Sequence, residues 1–306
     1  MSTTEVKTRT LSHREEKAAY WSFILPGFLI YVFVMAFPTV FALFLSVTNY
    51  KGGALFGPKR RHISIIGFEY YVKMFQDKYF WLALKNNMWI TLVSVFGQIP
   101  LGFFMAYLIF RGMIKGKDFF QTIIYLPCVI STVVIGKLWD AITAPNGALP
   151  DIIRLFNPGY VASNSEHPMI PVLLVILWMY TGTYLIIFLA NMQKIDVSII
   201  EAAKIDGATE FQALRYIILP ALSGVIVTSA ILAISGSLKS FDLIYVMTSG
   251  GPAKQTYVLS IYMYDTAFKG APNYPLANAV SIVMCIISFT LIGVTKLVEK
   301  KFGGQE

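Results

Sequence analysis

Long apolar runs without Asp, Glu, Lys or Arg recur along the chain from residue 18 onward. Each run reaches the roughly 18 to 20 residues that a helix rising about 1.5 Å per residue needs to cross about 30 Å of hydrocarbon. Because lipid satisfies no backbone hydrogen bonds, the backbone in these runs is predicted to be helical. The pattern predicts six membrane spans, at 18–50, 86–110, 119–136, 168–193, 216–238 and 270–295.

The overall composition agrees with this pattern. Of the 306 residues, 56% are hydrophobic and 14% are charged, and the mean hydropathy is +0.62, well away from ordinary soluble domains. The first run is too long and too rich in proline and aromatic residues for a removable signal peptide, so it is interpreted as the first span. We expect an all-α integral membrane protein with a tail at 1–20, a six-helix domain at 21–299 and a tail at 300–306.

The basic residues lie mostly between the predicted spans, so the formal net charge of +8 is interpreted as a topology signal rather than a nucleic-acid surface. With the N-terminus in the cytoplasm, thirteen Lys and Arg lie in inner segments and ten in outer ones, a weak positive-inside bias. The cluster Lys59, Arg60 and Arg61 in the first outer loop opposes this orientation. The expectation that both termini are cytoplasmic therefore depends mainly on the polar loop at 196–220.

That loop, DVSIIEAAKIDGATEFQALRYIILP, separates the fourth and fifth predicted spans. Ser198 stands three residues before Glu201, and Thr209 stands three residues before Gln212. Each pair predicts a capping box, in which the two side chains satisfy free amides at a helix start. The sequence therefore predicts two short helices inside the loop.

The two helices are predicted to separate at Gly207, because glycine readily adopts the positive φ that often ends a helix. The second helix carries an apolar stripe of Phe211, Leu214, Ile217 and Ile218. From the pattern alone, an amphipathic helix resting on lipid headgroups explains this loop as well as a docking element does.

The loop resembles the EAA loop of permease subunits in binding-protein-dependent ABC importers. The matching residues are Glu201, Ala202, Ala203, Ile205, Asp206, Gly207 and Ala208, followed by Leu219 and Pro220. In that family this loop is a coupling helix that seats in a groove of the ATPase subunit. The resemblance implies the type I ABC importer permease fold, and a coupling role for Glu201, Ala202, Ala203, Asp206, Gly207 and Ala208.

Other segments resemble carbohydrate-uptake permeases of the maltose and glycerol-phosphate type, namely 67–71 (GFEYY), 119–127 (FFQTIIYLP) and 241–252 (FDLIYVMTSGGP). Val197 departs from the family, which commonly has proline there, and the N-terminal tail matches nothing. The resemblance implies a multi-pass subunit of a bacterial or archaeal cytoplasmic membrane. Its implied partners are a second homologous permease subunit, two ATPase subunits holding ATP and Mg, an extracytoplasmic binding protein and a sugar, while this chain carries no cofactor.

The same resemblance implies a substrate path. The positions matching sugar-facing ones are Cys128, Thr132, Met179, Tyr180, Thr183, Ser237 and Ser240, to which the charged Asp242 is added. Hydroxyl groups exchange hydrogen bonds with sugar hydroxyls, and aromatic faces cover the apolar face of a sugar ring. The competing interpretation is that the Ser and Thr residues join helix to helix and the aromatic residues lie at the membrane interface.

Two ionisable pairs at helical spacing, Lys137 with Asp140 and Lys239 with Asp242, fall near the predicted outer ends of the third and fifth spans. A spacing of three residues would allow each pair to neutralise itself on one helix face. Such pairs could line the outer mouth or a docking surface, or snorkel to the interface. The following Gly250-Gly251-Pro252 run predicts a turn.

The sequence supports no catalytic chemistry. It has no Gly-x-x-x-x-Gly-Lys-Ser/Thr run, so the chain is not expected to hydrolyse ATP. No metal site is expected, because the three histidines are isolated from one another: His13, His62 and His167. No disulfide framework is expected either, because the only two cysteines, Cys128 and Cys285, lie in apolar runs. The alternative transport function, an ion-coupled secondary transporter of a small polar solute, would call for broken helices in two matching halves, and the sequence shows no such repeat.

Overall fold

The computed structural model describes residues 13–52, 63–157 and 168–302. Outside these ranges lie Lys59, Arg60, Arg61, His62, His167 and most of both terminal tails. Within the described ranges the chain is helical, apart from loops and one isolated antiparallel bridge between Thr48 and Ile65. The helices are α1 (His13–Tyr31), α2 (Phe37–Ser46), α3 (Glu69–Gln76), α4 (Lys78–Val93), α5 (Ile99–Phe110), α6 (Lys117–Val129), α7 (Thr132–Thr143), α8 (Ala148–Phe156), α9 (Met169–Met192), α10 (Val197–Ile205), α11 (Glu210–Ala213), α12 (Leu219–Ala221), α13 (Ser223–Leu238), α14 (Asp242–Thr248), α15 (Leu259–Phe268) and α16 (Tyr274–Phe302).

Single π-helical turns join three consecutive helix pairs, α1 to α2, α4 to α5 and α11 to α12. Each following helix has a proline in its first two positions. A proline ring clashes with the carbonyl four residues earlier and removes one helical hydrogen bond. That carbonyl lies inside the π turn in all three cases, in Val32–Ala36, Ser94–Gln98 and Leu214–Ile218. The wider turn therefore accommodates the proline without breaking the helix.

Among the described residues, four helical segments are long and apolar enough to cross a membrane without a sharp bend. We number them by their order among the predicted spans: span 1 is Ala19–Ser46, span 2 is Lys78–Phe110, span 4 is Met169–Met192 and span 6 is Tyr274–Lys300. Span 2 begins eight residues before the predicted boundary, because the sequence criterion stopped at the charged Lys85, which the helix includes.

The other two predicted spans are bent. Span 3 consists of Lys117–Val129 and Thr132–Phe156, which meet at 96°, and span 5 consists of Glu210–Ala221 and Ser223–Leu238, which meet at 66°. When each bent pair is counted as one span, the described ranges contain the six spans that the sequence predicts. The sequence did not predict the bends.

Span 4 lies at the centre of the described helices. In the most apolar 18-residue stretch of span 4, 56% is buried inside the protein. The corresponding share for span 1, which packs against α16 at the periphery, is 6%. Its helix α9 packs on α5 and α6, and glycines bring both neighbours close. A Cβ at Gly102 would lie 2.7 Å from the Tyr184 Cβ, so only a residue without a side chain fits between α5 and α9.

Two buried asparagines tie span 2 to the segment between α14 and α15. Asn86 donates to the carbonyls of Gln255 (2.8 Å) and Tyr257 (2.7 Å). Asn87 accepts from the amide of Leu259 at 2.8 Å and donates to a carbonyl of α13. The chain between α14 and α15 is not helical, so its backbone groups lack helical hydrogen-bond partners, and the asparagine side chains supply these partners. An unpaired backbone group away from water would cost free energy.

Candidate functional site

The polar loop at 196–220 contains the predicted turn. Helix α10 ends at Ile205, and Gly207 follows with φ +86°, after which the chain enters α11. The glycine separation predicted from the sequence is confirmed. The reason is steric, since this φ region is disfavoured for residues with a Cβ.

The first predicted capping box is wrong. Asp196 caps α10, and its carboxylate accepts a hydrogen bond from the Ser198 amide at 2.9 Å. Ser198 therefore lies inside the first turn and cannot be the cap. The bond to the Ser198 amide favours the ionised carboxylate and lowers the pKa of Asp196 below its ordinary value of 3.8.

The second predicted capping box is confirmed. The Gln212 amide donates to Thr209 Oγ1 at 3.3 Å, and the Thr209 amide donates to Gln212 Oε1 at 2.7 Å. The helix that follows is longer than predicted, because it continues through the π turn as far as Ala221. On the predicted apolar stripe, Leu214, Ile217 and Ile218 pack against the core, whereas Phe211 is 72% exposed.

The predicted coupling residues surround the turn. Glu201, Ala202, Asp206 and Gly207 are exposed, and Ala203 and Ala208 are half-buried. The inner angle of the turn holds a cleft of about 410 Å³, lined by Ala203, Asp206, Gly207, Ala208, Gln212, Ala213, Tyr216 and Ile217. Four of the six predicted coupling residues thus share one concave surface, and their role in coupling stays a prediction.

The loop is held against the C-terminal ends of spans 2 and 4. Ile200 on α10 is 3% exposed and belongs to the same buried cluster as Tyr107, Ile109 and Met192. An ion pair between Arg111 and Glu210 adds a polar contact in the same region. Sequence reasoning missed this ion pair, because its partners are 99 residues apart and no motif links them.

A cavity of about 350 Å³ lies between spans 2, 3, 4 and 5. Its lining includes six of the eight residues of the predicted substrate path: Thr132, Tyr180, Thr183, Ser237, Ser240 and Asp242. The lining also includes Lys239, which the sequence singled out as half of a charged pair, and four residues that the predicted path lacks: Ser94, Gln98, Tyr184 and Phe241. The size falls within the range of about 300 to 1,000 Å³ that is usual for small-ligand sites.

The two remaining path residues lie outside this lining. Met179 is 1% exposed and packs in the core. Cys128 Sγ donates to the Met179 carbonyl at 2.8 Å and accepts from Thr183 Oγ1 at 3.4 Å. In this conformation Cys128 and Met179 therefore support the wall of the cavity from behind.

The π turn of span 2 faces the cavity. Gln98 lines the cavity with most of its surface buried, and its Nε2 donates to the Ile176 carbonyl at 2.7 Å. Ser94 Oγ lies 3.2 Å from Ser237 Oγ, which itself donates to the Ala233 carbonyl at 2.7 Å. The π turn that accommodates the proline of α5 thus places two polar side chains, Ser94 and Gln98, in the cavity wall.

The predicted neutralisation of the two charged pairs is wrong. Among the described residues, neither Lys137 with Asp140 nor Lys239 with Asp242 forms an ion pair. The second pair does not even share a helix, because α13 ends at Leu238 and α14 begins at Asp242. Lys239 and Asp242 both line the cavity instead. The predicted turn after α14 is present, closed by a bond of 2.7 Å from the Gly251 amide to the Thr248 carbonyl.

These features define a multi-spanning membrane transport subunit, with a cavity between its helices and a structured polar loop below it. Comparison with known families supports this class of protein. Residues 98–304 match the family described as "Binding-protein-dependent transport system inner membrane component". The chain belongs to this family.

Curated relatives match the chain over nearly its whole length. It is 29% identical to the lactose transport system permease protein LacF of Rhizobium radiobacter, covering 87% of this chain and 89% of that protein. It is also 29% identical to the trehalose transport system permease protein SugA of Mycobacterium tuberculosis, covering 94% and 92%.

Among solved structures, the chain resembles one in a bacterial ABC transporter involved in the import of the acidic polysaccharide alginate. The TM-score is 0.77 at 21% identity, with 94% of this chain and 97% of that chain covered. This likeness shows the fold, and it agrees with the type I permease architecture expected from the sequence.

Proposed function

We propose that the chain is the permease subunit of an ATP-driven importer that takes up a sugar or oligosaccharide by alternating access. The observation that carries this proposal is the cavity between the four central spans, which combines hydroxyl groups and aromatic rings. The names of the relatives support a carbohydrate substrate, since they describe lactose and trehalose transport.

The chemistry of the cavity wall suits a polyol. Thr132 and Ser240 offer hydroxyl groups that both donate and accept, which matches the hydrogen-bonding capacity of sugar hydroxyls. The Thr183 hydroxyl donates to Cys128 Sγ and keeps its lone pairs to accept. Tyr180 and Phe241 add aromatic surface that can cover the apolar face of a sugar ring. Lys239 and Asp242 contribute one positive and one negative charge, so their formal charges cancel and a neutral sugar is the favoured ligand.

The importer we propose contains further subunits. A second homologous permease completes the path, two ATPase subunits hold ATP and Mg, and an extracytoplasmic binding protein delivers the sugar. One neighbour in the structural comparison supports the last partner, because that alginate transporter is described in complex with a pentasaccharide-bound periplasmic protein. The EAA-like loop would receive the ATPase subunit on the cytoplasmic side, which places both termini in the cytoplasm.

Uptake by the complete complex in proteoliposomes tests the proposal. With the binding protein present, we expect one of radiolabelled lactose, trehalose or maltose to accumulate only when ATP is supplied, and to do so in the presence of a protonophore. Replacing Tyr180 with Ala should raise the KM for that sugar, whereas Tyr180→Phe should retain most of the affinity because the ring is kept. Uptake that depends on an ion gradient and ignores ATP would reject the importer.

A further inference from the structure

We propose that Arg111 and Glu210 form a positioning contact through which the polar loop at 196–220 moves span 2, and with it one wall of the cavity. The inference rests on the proposed import function and adds two positioning residues to it. Neither residue belongs to the EAA-like motif or to the substrate path predicted from the sequence.

The contact has a defined geometry. Arg111 Nε donates to Glu210 Oε2 at 2.9 Å, and the second guanidinium nitrogen, Nη2, donates to Oε1. The Tyr107 hydroxyl makes a longer third bond to the same carboxylate at 3.4 Å. A two-point bond between a planar guanidinium and a carboxylate restricts orientation as well as distance, unlike a single lysine contact. The arginine side chain is 17% exposed and the glutamate side chain 47% exposed, so the guanidinium is shielded from water while the carboxylate is partly open to it.

The contact also differs from the other ion pairs in the described part of the chain. Those pairs join residues three or four positions apart, such as Lys73 with Glu69, and so stabilise single helical turns. Arg111 with Glu210 joins two separate elements. Arg111 lies at the C-terminal end of α5 and Glu210 in the first turn of α11, so each charge also complements the dipole of its own helix.

Span 2 connects this contact directly to the cavity, so a displacement at one end of the helix moves the other. Its inner helix α5 begins directly after the π turn whose Ser94 and Gln98 line the cavity. Below the cavity, Gly102 and the fully buried Ala106 leave α5 no free space against its neighbours. Because a packed helix moves as a body rather than compressing, a shift at Arg111 reaches the cavity wall.

Neutralising each charge, and then exchanging the two, tests the contact in the complete complex. The complex is reconstituted in proteoliposomes with the labelled sugar that the wild type transports. We expect Glu210→Gln and Arg111→Gln each to lower the sugar transported per ATP hydrolysed by about tenfold, a usual size for loss of a coupling contact. Arg111→Lys should be intermediate, because it keeps the charge and loses the two-point geometry. The double variant Arg111→Glu with Glu210→Arg should recover at least half of the coupling.

A matched control is Lys115→Gln, which removes an exposed charge from the loop that follows Arg111 and should transport like the wild type. Single variants that couple normally would overturn the inference while leaving the importer intact. Loss of coupling that the exchanged pair does not restore, together with a lowered melting temperature, would show a purely structural role and would also overturn it. Failure of the wild type to transport any of the sugars with ATP would count against the proposed function itself.

Discussion

Single glycines decide how closely the central span packs. A Cβ at Gly182 would lie 2.4 Å from the Ile124 carbonyl oxygen and 2.8 Å from the Tyr125 Cα, both backbone atoms that cannot rotate away. The sequence shows these glycines only as interruptions in apolar runs. Their partners become visible only in the packed structure, because the contacts join residues from different spans.

The Gly182→Ala substitution should destabilise the protein by about 1 to 3 kcal/mol, the usual cost of overpacking a closely packed interface. Thermal unfolding of the detergent-solubilised complex measures this cost as a lowered melting temperature. Gly293→Ala in span 6 is the matched control, since no atom lies within 4 Å of a Cβ placed there. Equal melting temperatures for the two variants would contradict the close approach of spans 3 and 4.

At Gly207, backbone conformation matters rather than space. Its φ is +86°, and a Cβ built there meets nothing within 4 Å. A β-branched residue would cost of order 1 to 3 kcal/mol in this φ region. We therefore expect Gly207→Val to insert into the membrane normally. The complex that contains this variant should hydrolyse ATP without transport, because the angle between α10 and α11 changes. Normal uptake by this variant would refute the importance of the turn, and Gly224→Ala is the control.

At the scale of elements, the loop at 196–220 shows what local signals can and cannot specify. The Thr209 and Gln212 box and the Gly207 turn are both predictable, because each depends on residues within one helical turn. The prediction of a cap at Ser198 is wrong because the Ser198 amide, which the Glu201 side chain would bond in the predicted box, donates to Asp196 instead. Asp196 has the extended conformation of a cap.

The cap at Asp196 makes the start of α10 depend on pH. Its pKa is lowered in the folded state, so the ionised cap stabilises the helix above the ordinary value of 3.8, and this stabilisation is lost as the pH falls through the lowered value. Hydrogen exchange of the α10 amides, corrected for intrinsic rates, should accelerate over that acidic window. Asp196→Asn keeps a capping side chain that does not titrate, so an equal acceleration there would exclude the carboxylate as the cause.

The bends in spans 3 and 5 belong to the same scale, and the sequence did not reveal them. The length of an apolar run indicates only that the segment can cross the membrane. A straight span and a bent span can have apolar runs of the same length. The break in span 3 places Ile130 and Ser131 in extended conformation, and Thr132 then begins a helix that faces the cavity. Bends of this kind depend on contacts between spans, which no single run contains.

At the scale of the whole molecule, the proposed orientation rests on the loop at 196–220 rather than on charge. We expect an alkaline phosphatase fused in the loop after Gly52 to be active and a fluorescent protein fused at the C-terminus to fluoresce, because the first places its reporter outside and the second inside. A fluorescent reporter in the loop after Arg111 serves as the inner control. A cytoplasmic reporter after Gly52 would invert the topology and remove the EAA-like loop from the ATPase side.

The sequence alone determined the six spans, the all-α class, the family resemblance and most of the turn at Gly207, because these depend on hydrophobic length and on residues close together in the chain. The tertiary structure decided which residues of the predicted path share a cavity, namely six of the eight, and which residues join them there. It placed Met179 in the core, Lys239 on the cavity wall and Arg111 against Glu210. These outcomes depend on how separate helices bend and pack, and the packing joins side chains as far as 185 residues apart in the chain.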